Sequence, residues 1–476
     1  MHGTVSLPVW LAVVLVLLAA WAALERLLLP GVRWFVRRRV NRALEELNTR
    51  LKIRIPPFKL AKRELLIERL VWDPQVQAAA EAVARVEQSP RAIAMRRAER
   101  YAREIVPAFN AYAYYRFGYW LARNIARSLF RVRLGRSDEA GLGAIPPDAT
   151  VVFLINHRSN MDYILVSYLA AERAALSYAV GEWARIWPLQ TLIRAMGAYF
   201  VRRNSKDPLY RKVLERYVGM ATEGGVTQAV FPEGGLSRDG RLRPPRLGIL
   251  DYMVRGFDPQ GERDILFVPV GINYDRTFED RSLVAEGDSS FEHPGALAAA
   301  ANTLGFVLRN LRLMATNRWH RFGYACVNFG TPLSLREYLG QHAFDFRRLA
   351  PKEHSKRLQE LAGELMRAVA RVIPALPVPL VATVFVREPS RAWSELELKA
   401  AVLDLVRELS ERGAHVYVPR GDQDYAITVG LRMLTLRHLV EAADGLFRAR
   451  TEELPLMTYY ANSIGHLFSR PARSFA

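Results

Sequence analysis

Between residues 150 and 330 six short apolar runs recur: Val151–Ile155, Ala175–Val180, Tyr199–Val201, Gln228–Phe231, Ile265–Val270 and Ala325–Phe329. Most are separated by helix-length segments, such as Tyr163–Glu172, Ile186–Met196, Leu209–Thr222 and Ala296–Met314. The apolar runs are of strand length and alternate with the helical segments. They predict an α/β layered fold whose sheet is largely parallel. Around this unit the pattern is helical. Residues 31–135 are rich in Ala and Arg, with Gln77–Val86 and Ala92–Ile105 as good helix formers. Gly135–Pro147 reads as a linker. The tail from about 350 contains the helical segments Lys356–Arg371 and Glu395–Glu411, with Ala414–Val418 and Leu380–Phe385 as short strand candidates. Pro374, Pro377 and Pro379 mark a break within the tail.

The chain begins differently. From Leu7 to Leu24 it runs without a charge, long enough to cross a bilayer core at 1.5 Å per residue. Ala20–Ala22 resembles a signal-peptidase site, but no Lys or Arg precedes Leu7, as an export signal would require. Arg33, Arg37, Arg38, Arg39 and Arg42 follow, the distribution retained on the cytoplasmic side. The expectation is therefore a membrane helix in residues 1–30 holding a body on the cytoplasmic side of the cell (inner) membrane. A helix lying in the headgroup layer is the alternative, since Pro30-Gly31 lets the chain turn along the surface. At 476 residues there is room for roughly three further units: a helical membrane-proximal region 31–135, a central domain 136–345 and a mostly helical domain 346–476.

Charge narrows the partners. The net charge of +19 favours a polyanion: nucleic acid, an anionic lipid surface or a phosphorylated substrate. The single cysteine, Cys326, rules out a disulfide scaffold and a multi-cysteine zinc site, and within its apolar run it reads as packing. Tyr101–Phe130 interleaves Tyr112, Tyr114, Tyr115, Phe117, Tyr119 and Trp120 with Arg116, Arg123 and Arg127. This is either a core helix with a solvated basic face or an interfacial membrane contact. His354, His415 and His438 have no ligand-spaced neighbours and read as structural, as does His320.

Four clusters end predicted strands, where α/β sheets place ligands. Asn156-His157-Arg158-Ser159-Asn160-Met161-Asp162 follows the first. At such a turn Asp162 can accept the His157 ring N–H, fix its tautomer and leave the other nitrogen basic, so that an alcohol can be deprotonated. Ser159 lacks a Gly-x-Ser-x-Gly elbow and reads as a turn or substrate-binding hydroxyl. Arg202 and Arg203 end Gly197–Val201 and could grip a phosphate or simply solvate a strand end. Phe231-Pro232-Glu233-Gly234-Gly235-Leu236-Ser237-Arg238-Asp239-Gly240 suits a phosphate-binding loop but lacks the Gly-Lys-Ser/Thr ending of a nucleotide loop. Val268–Tyr274 reads only as a buried strand.

In this order and spacing the four clusters resemble the motifs of the glycerolipid acyltransferases. His157 and Asp162 match the family's His-x-x-x-x-Asp, and Phe231, Pro232, Glu233 and Gly234 match its Phe-Pro-Glu-Gly. The fuller motifs resemble the large membrane-bound glycerol-3-phosphate acyltransferases and their dihydroxyacetone-phosphate relatives. So does the C-terminal stretch Tyr459-Tyr460-Ala461-Asn462-Ser463-Ile464-Gly465-His466-Leu467. One departure touches the phosphate contacts: Leu236 stands where many members carry Arg.

The resemblance implies an acyltransferase-type mixed, largely parallel sheet flanked by helices. It also implies a reaction in which His157, oriented by Asp162, activates the C1 hydroxyl of glycerol 3-phosphate against the thioester of acyl-CoA or acyl carrier protein, giving lysophosphatidate. Arg158, Arg202, Arg203 and Arg238, with Arg246 a weaker candidate, would hold the phosphate. Ser159, Glu233, Gly234, Gly235 and Ser237 would shape the acceptor pocket. No metal and no cofactor is implied; the expected partners are the two substrates and anionic membrane lipid, not nucleic acid. The alternatives are acylation of lysophosphatidate or dihydroxyacetone phosphate, a membrane-tethered nucleic-acid binder resting on the charge, and an inactive scaffold.

Overall fold

Strand β2 (Thr150–Ile155) is buried along its whole length, as its unbroken TVVFLI run requires of a strand covered on both faces. It lies near the middle of a sheet of order β1-β7-β6-β2-β5-β3-β4. The other strands are β1 (Arg131–Ser137), β3 (Ser177–Gly181), β4 (Tyr199–Val201), β5 (Gln228–Val230), β6 (Ile265–Tyr274) and β7 (Tyr324–Phe329), with a short β8 (Leu333–Ser334) beside β6. These features come from a computed structural model, which describes residues 55–111, 113–170, 175–181, 189–202, 205–287 and 321–469. Strands β6, β2, β5, β3 and β4 run parallel, while β7 is antiparallel to β6 and parallel to β1. The sheet is thus mixed and largely parallel, as expected.

The ten-residue β6 joins its two halves. Ile265–Val270 pair with β2, and Val270–Tyr274 pair with β7. Beyond Val270 the chain therefore overhangs the C-terminal end of β2, where a following turn can be reached from the side.

Residues alternate along β2. Val152 and Leu154 join a core with helices α1 (Arg63–Val71), α2 (Pro74–Val86), α3 (Arg91–Ile105), α6 (Pro208–Glu223), α7 (Gly248–Val254) and α9 (Pro351–Val372). Helix α4 (Tyr119–Leu129) packs instead on α5 (Met161–Ala170). A second core joins α10 (Pro377–Arg387), α11 (Glu395–Glu411), α12 (Gln423–Leu436) and α13 (Leu454–Phe468), and Leu283 of α8 (Asp280–Gly287).

Three local expectations are corrected. Leu380–Phe385 is helical, within α10; it is buried on every side, so its apolar run shows no 3.6-residue period to distinguish it from a strand. Ala414–Val418 forms no strand and contributes only an isolated bridge, Ala375 to Val416. Residues 131–137, divided between the helical region and the linker, form the edge strand β1, whose arginines hide its strand character. Among the described residues no helix is long and apolar enough to cross a membrane. The expected anchor in residues 1–30, the segment Ala296–Met314, Arg203 and His320 lie outside the described residues.

Candidate active site

The turn after β2 is strapped to the overhang of β6. The Asn156 amide donates to the Ile272 carbonyl at 2.9 Å and accepts the Ile272 N–H at 2.7 Å, so the turn is held where strand pairing has ended. Asp162 then gathers the turn around itself. Its Oδ2 accepts the Arg158 N–H at 2.7 Å, the Ser159 N–H at 3.0 Å and His157 Nδ1 at 3.0 Å, while Oδ1 accepts the Tyr274 hydroxyl at 2.6 Å. Asp162 is wholly buried and His157 is 2% exposed. A carboxylate with this many donors has its charge satisfied without solvent. Because Nδ1 faces a carboxylate, it carries the proton, and Nε2 keeps its lone pair as a base. The imidazole is fixed further by Phe231, its ring centroid 4.2 Å away, and by the edge of Tyr163 at 5.6 Å.

The glycine-containing loop is sewn to the same turn. Glu233 Oε1 accepts the His157 N–H at 2.7 Å and its Oε2 accepts the Arg243 N–H at 2.9 Å. Burial raises the Glu233 carboxyl above its ordinary range, and those two N–H groups pull it back. The Ser237 N–H reaches the His157 carbonyl at 3.3 Å, while its hydroxyl donates to the Arg241 carbonyl at 2.7 Å. Glu233 and Ser237 therefore brace the loop. Gly234 has φ +66°, and a Cβ there would meet the Arg246 side chain at 2.5 Å. Arg246 is itself exposed, and Gly235, which is buried, lies beside Arg243.

The cations separate into distinct roles. Arg158 is buried; its Nη1 donates to the Gly240 carbonyl and its guanidinium lies 4.7 Å from the Tyr459 ring centroid. Its Nε and Nη2 are buried with no hydrogen-bond partner among the described residues. Arg238 is exposed and 3.6 Å from Glu286. Arg202 is not brought to His157. Its fork grips Glu104 through Nε at 2.8 Å and Nη2 at 2.6 Å, and it lies over Tyr101 and Tyr210. Strand β4 is also three places from β2, ~14 Å at the usual spacing. Of the two readings of Ser159, its contacts favour the turn: its hydroxyl donates to Glu279 Oε2 at 2.6 Å and accepts the Met161 N–H at 3.1 Å.

Three contributors escaped the sequence reading. Tyr274 ends a run that reads as packing, although the polar pair Asn273-Tyr274 closing an apolar strand is a usable signal. Glu279, which also accepts the Asn160 N–H at 3.1 Å, sits in a loop with no motif around it. The third is the role of α13. Tyr459 stacks on Arg158, Asn462 Nδ2 donates to the Asp239 carbonyl at 2.8 Å, and a Cβ on Gly240 (φ +84°) would come within 1.9 Å of the Tyr459 carbonyl. The C-terminal helix thus closes over the phosphate-loop candidate. Leu236 packs partly buried against the core of that C-terminal region.

A buried His–Asp pair at the C-terminal end of a parallel strand, next to a glycine turn and a buried guanidinium, is equipped to deprotonate an alcohol beside an anionic group. Residues 138–273 match the acyltransferase family, and 309–474 match the glycerol-3-phosphate acyltransferase C-terminal region. A glycerol-3-phosphate acyltransferase of Pseudomonas putida KT2440 is 30% identical over 426 residues, 87% of this chain and 50% of its own. That of Pseudomonas fluorescens Pf-5 is 30% identical over 344 residues, 70% of this chain and 40% of its own. The chain spans about half the length of the curated relatives it matches. A solved 1-acyl-sn-glycerophosphate acyltransferase from Thermotoga maritima overlaps 53% of this chain and 77% of its own at 19% identity, with a TM-score of 0.29, too slight a likeness to carry an argument. Residues 138–273 thus carry an acyltransferase domain. With the match over 309–474, the chain is similar to the glycerol-3-phosphate acyltransferases along most of its length.

Proposed function

We propose that this chain transfers a fatty acyl group from acyl-CoA or acyl carrier protein to the sn-1 hydroxyl of glycerol 3-phosphate. The observation that carries this reading is the buried Asp162–His157 hydrogen bond, which leaves Nε2 as the base. His157 Nε2 takes the hydroxyl proton as the oxygen attacks the thioester carbonyl. The tetrahedral intermediate collapses with cleavage of the C–S bond, and the imidazolium returns its proton to the departing thiolate. No acyl-enzyme is needed, in keeping with a Ser159 hydroxyl engaged by Glu279 and a buried Cys326 whose thiol burial pushes up to about 12.

Arg158 offers the N–H groups of Nε and Nη2, unpartnered among the described residues, to the substrate phosphate, with Arg238 as the exposed cation of the same loop region. The net charge of +19 draws phosphate, CoA and anionic lipid together. Attachment to the cytoplasmic face of the cell membrane, through residues 7–24, would deliver the amphiphilic product directly into lipid. No cofactor takes part in this scheme.

The test is thiol release from acyl-CoA by the purified chain, offered glycerol 3-phosphate, dihydroxyacetone phosphate or lysophosphatidate. Glycerol 3-phosphate is expected to give the highest kcat/KM, and His157→Ala to lower it by ~10²–10⁴-fold. Undiminished turnover in His157→Ala would overturn the mechanism, and preference for another acceptor would overturn the substrate.

A further inference from the structure

The opposite face of the helix that supports α5 carries a pattern the proposed chemistry does not use. A π-helix over Ala113–Gly118 runs directly into α4 (Tyr119–Leu129). Tyr114, Gly118, Ala122 and Ala126 are buried, and Gly118 sits so close to Met196 that a Cβ would meet its side chain at 2.2 Å. The other side presents Arg116, Phe117, Trp120, Arg123, Asn124 and Arg127, all exposed. At 3.6 residues per turn these fall within about a third of the helix circumference. Phe117 is 48% and Trp120 57% exposed, and their ring centroids are 6.4 Å apart. Arg116, Arg123 and Arg127 form no ion pair among the described residues, and the sequence has no Asp or Glu between Glu104 and Asp138.

We infer that this stripe is a docking surface for an anionic lipid bilayer. Two exposed aromatic rings flanked by unpaired arginines match the headgroup boundary, where rings enter the apolar edge and guanidinium groups stay at the phosphates. A solvated helix face gains nothing from exposing a Trp and a Phe side by side, and an uninterrupted positive field excludes an equally basic surface as the partner. Nucleic acid shares the charge complementarity, but the apolar stretch of residues 7–24 in the same chain favours lipid. Helix α4 packs on α5, whose first turn holds Asp162. The stripe would therefore set the His–Asp turn close to the membrane surface. That consequence, unlike the docking itself, rests on the acyl-transfer reading.

The test is local, because residues 1–54 could bind vesicles by themselves. Nitroxide is attached to the full chain at Phe117→Cys, Trp120→Cys or, as the control, Leu396→Cys, which is 78% exposed on α11. Cys326 is fully buried and does not compete for the label. On phosphatidylglycerol-containing vesicles, the labels at 117 and 120 are expected to lose collisions with a water-soluble nickel chelate and gain them with oxygen, while the label at 396 does not change. Phosphatidylcholine vesicles or 1 M salt should weaken the effect. Each arginine near an anionic surface raises partitioning about fivefold, so R116E/R123E/R127E should abolish it. Turnover of that variant on a water-soluble short-chain thioester should be unchanged.

Labels at 117 and 120 that remain as water-accessible as the one at 396 overturn the proposal. So does shielding that appears without vesicles and grows with protein concentration, which marks a second copy, or shielding by RNA but not by vesicles. None of these readouts requires turnover, so the docking surface can fail while the acyl-transfer reading stands, and the reverse.

Discussion

The Tyr274 hydroxyl, at the end of β6, donates to Asp162 Oδ1 in the first turn of α5 at 2.6 Å. Both side chains are fully buried. With Oδ1 anchored by Tyr274, Oδ2 is held facing His157 and the carboxylate cannot rotate. Tyr274→Phe should leave an acceptor unsatisfied in the interior, costing about 1–3 kcal/mol of stability. It should lower kcat about tenfold with little change in the KM for acceptor, since the base is disordered but the phosphate contacts remain. Steady-state kinetics beside urea denaturation would check this. A KM effect with kcat intact would place Tyr274 at the substrate.

Glu233 uses both oxygens as acceptors, one for the His157 N–H and one for the Arg243 N–H. In Glu233→Gln an amide NH₂ must face one of those donors, so one bond is lost and two donors oppose each other. The expected result is a fall of at least about tenfold in kcat/KM, with destabilisation of about 1–3 kcal/mol. Glu233→Asp keeps both oxygens but shortens the reach, and should recover little. Full activity in the Gln variant would mean that the loop holds its shape without this brace.

The sheet was legible because its strands are buried and bounded by turn residues, and so was the His157–Asp162 pair, since five residues is the reach of one tight turn. Contacts that depend on distant segments are not legible in this way. Arg202 looked like a phosphate ligand because nothing local reveals Glu104, 98 residues earlier. Tyr274 looked like packing because its partner lies 112 residues away. Strand β1 was hidden because an edge strand with one neighbour, β7, can carry arginines where a central strand cannot.

Arg158 and Arg202 therefore separate by experiment. Arg202→Ala removes a two-pronged, partly exposed pair with Glu104, and should cost about 1 kcal/mol of stability while the KM for glycerol 3-phosphate stays put. Arg158→Lys keeps a charge but loses the planar pair of N–H groups now left open beside Gly240. Its KM for acceptor should rise about tenfold or more, with a smaller change in kcat. The opposite ranking would return the phosphate to β4.

Asp275 follows Tyr274 and ties β6 to two neighbours, accepting the Tyr324 N–H at 2.8 Å and the Val378 N–H at 3.1 Å. Burial pushes its carboxyl up to about 6, against the opposing pull of those N–H groups. A carboxyl that binds its proton more tightly folded than unfolded stabilises the native state in its protonated form. That contribution is complete below about pH 4, the unfolded value, and is lost as pH rises through about 6. The shift corresponds to about 3 kcal/mol. Asp275→Asn cannot titrate, so the unfolding free energy of the native chain relative to this variant should increase by about 2 kcal/mol between pH 7.5 and pH 4.5, most of the full effect. Urea denaturation of both proteins across this range measures it. The Asn variant is itself weakened at every pH, because its NH₂ must face one of the two backbone donors, but that penalty is constant and cancels from the slope. A difference that stays level with pH would mean that Asp275 ionises as readily in the folded chain as in the unfolded one.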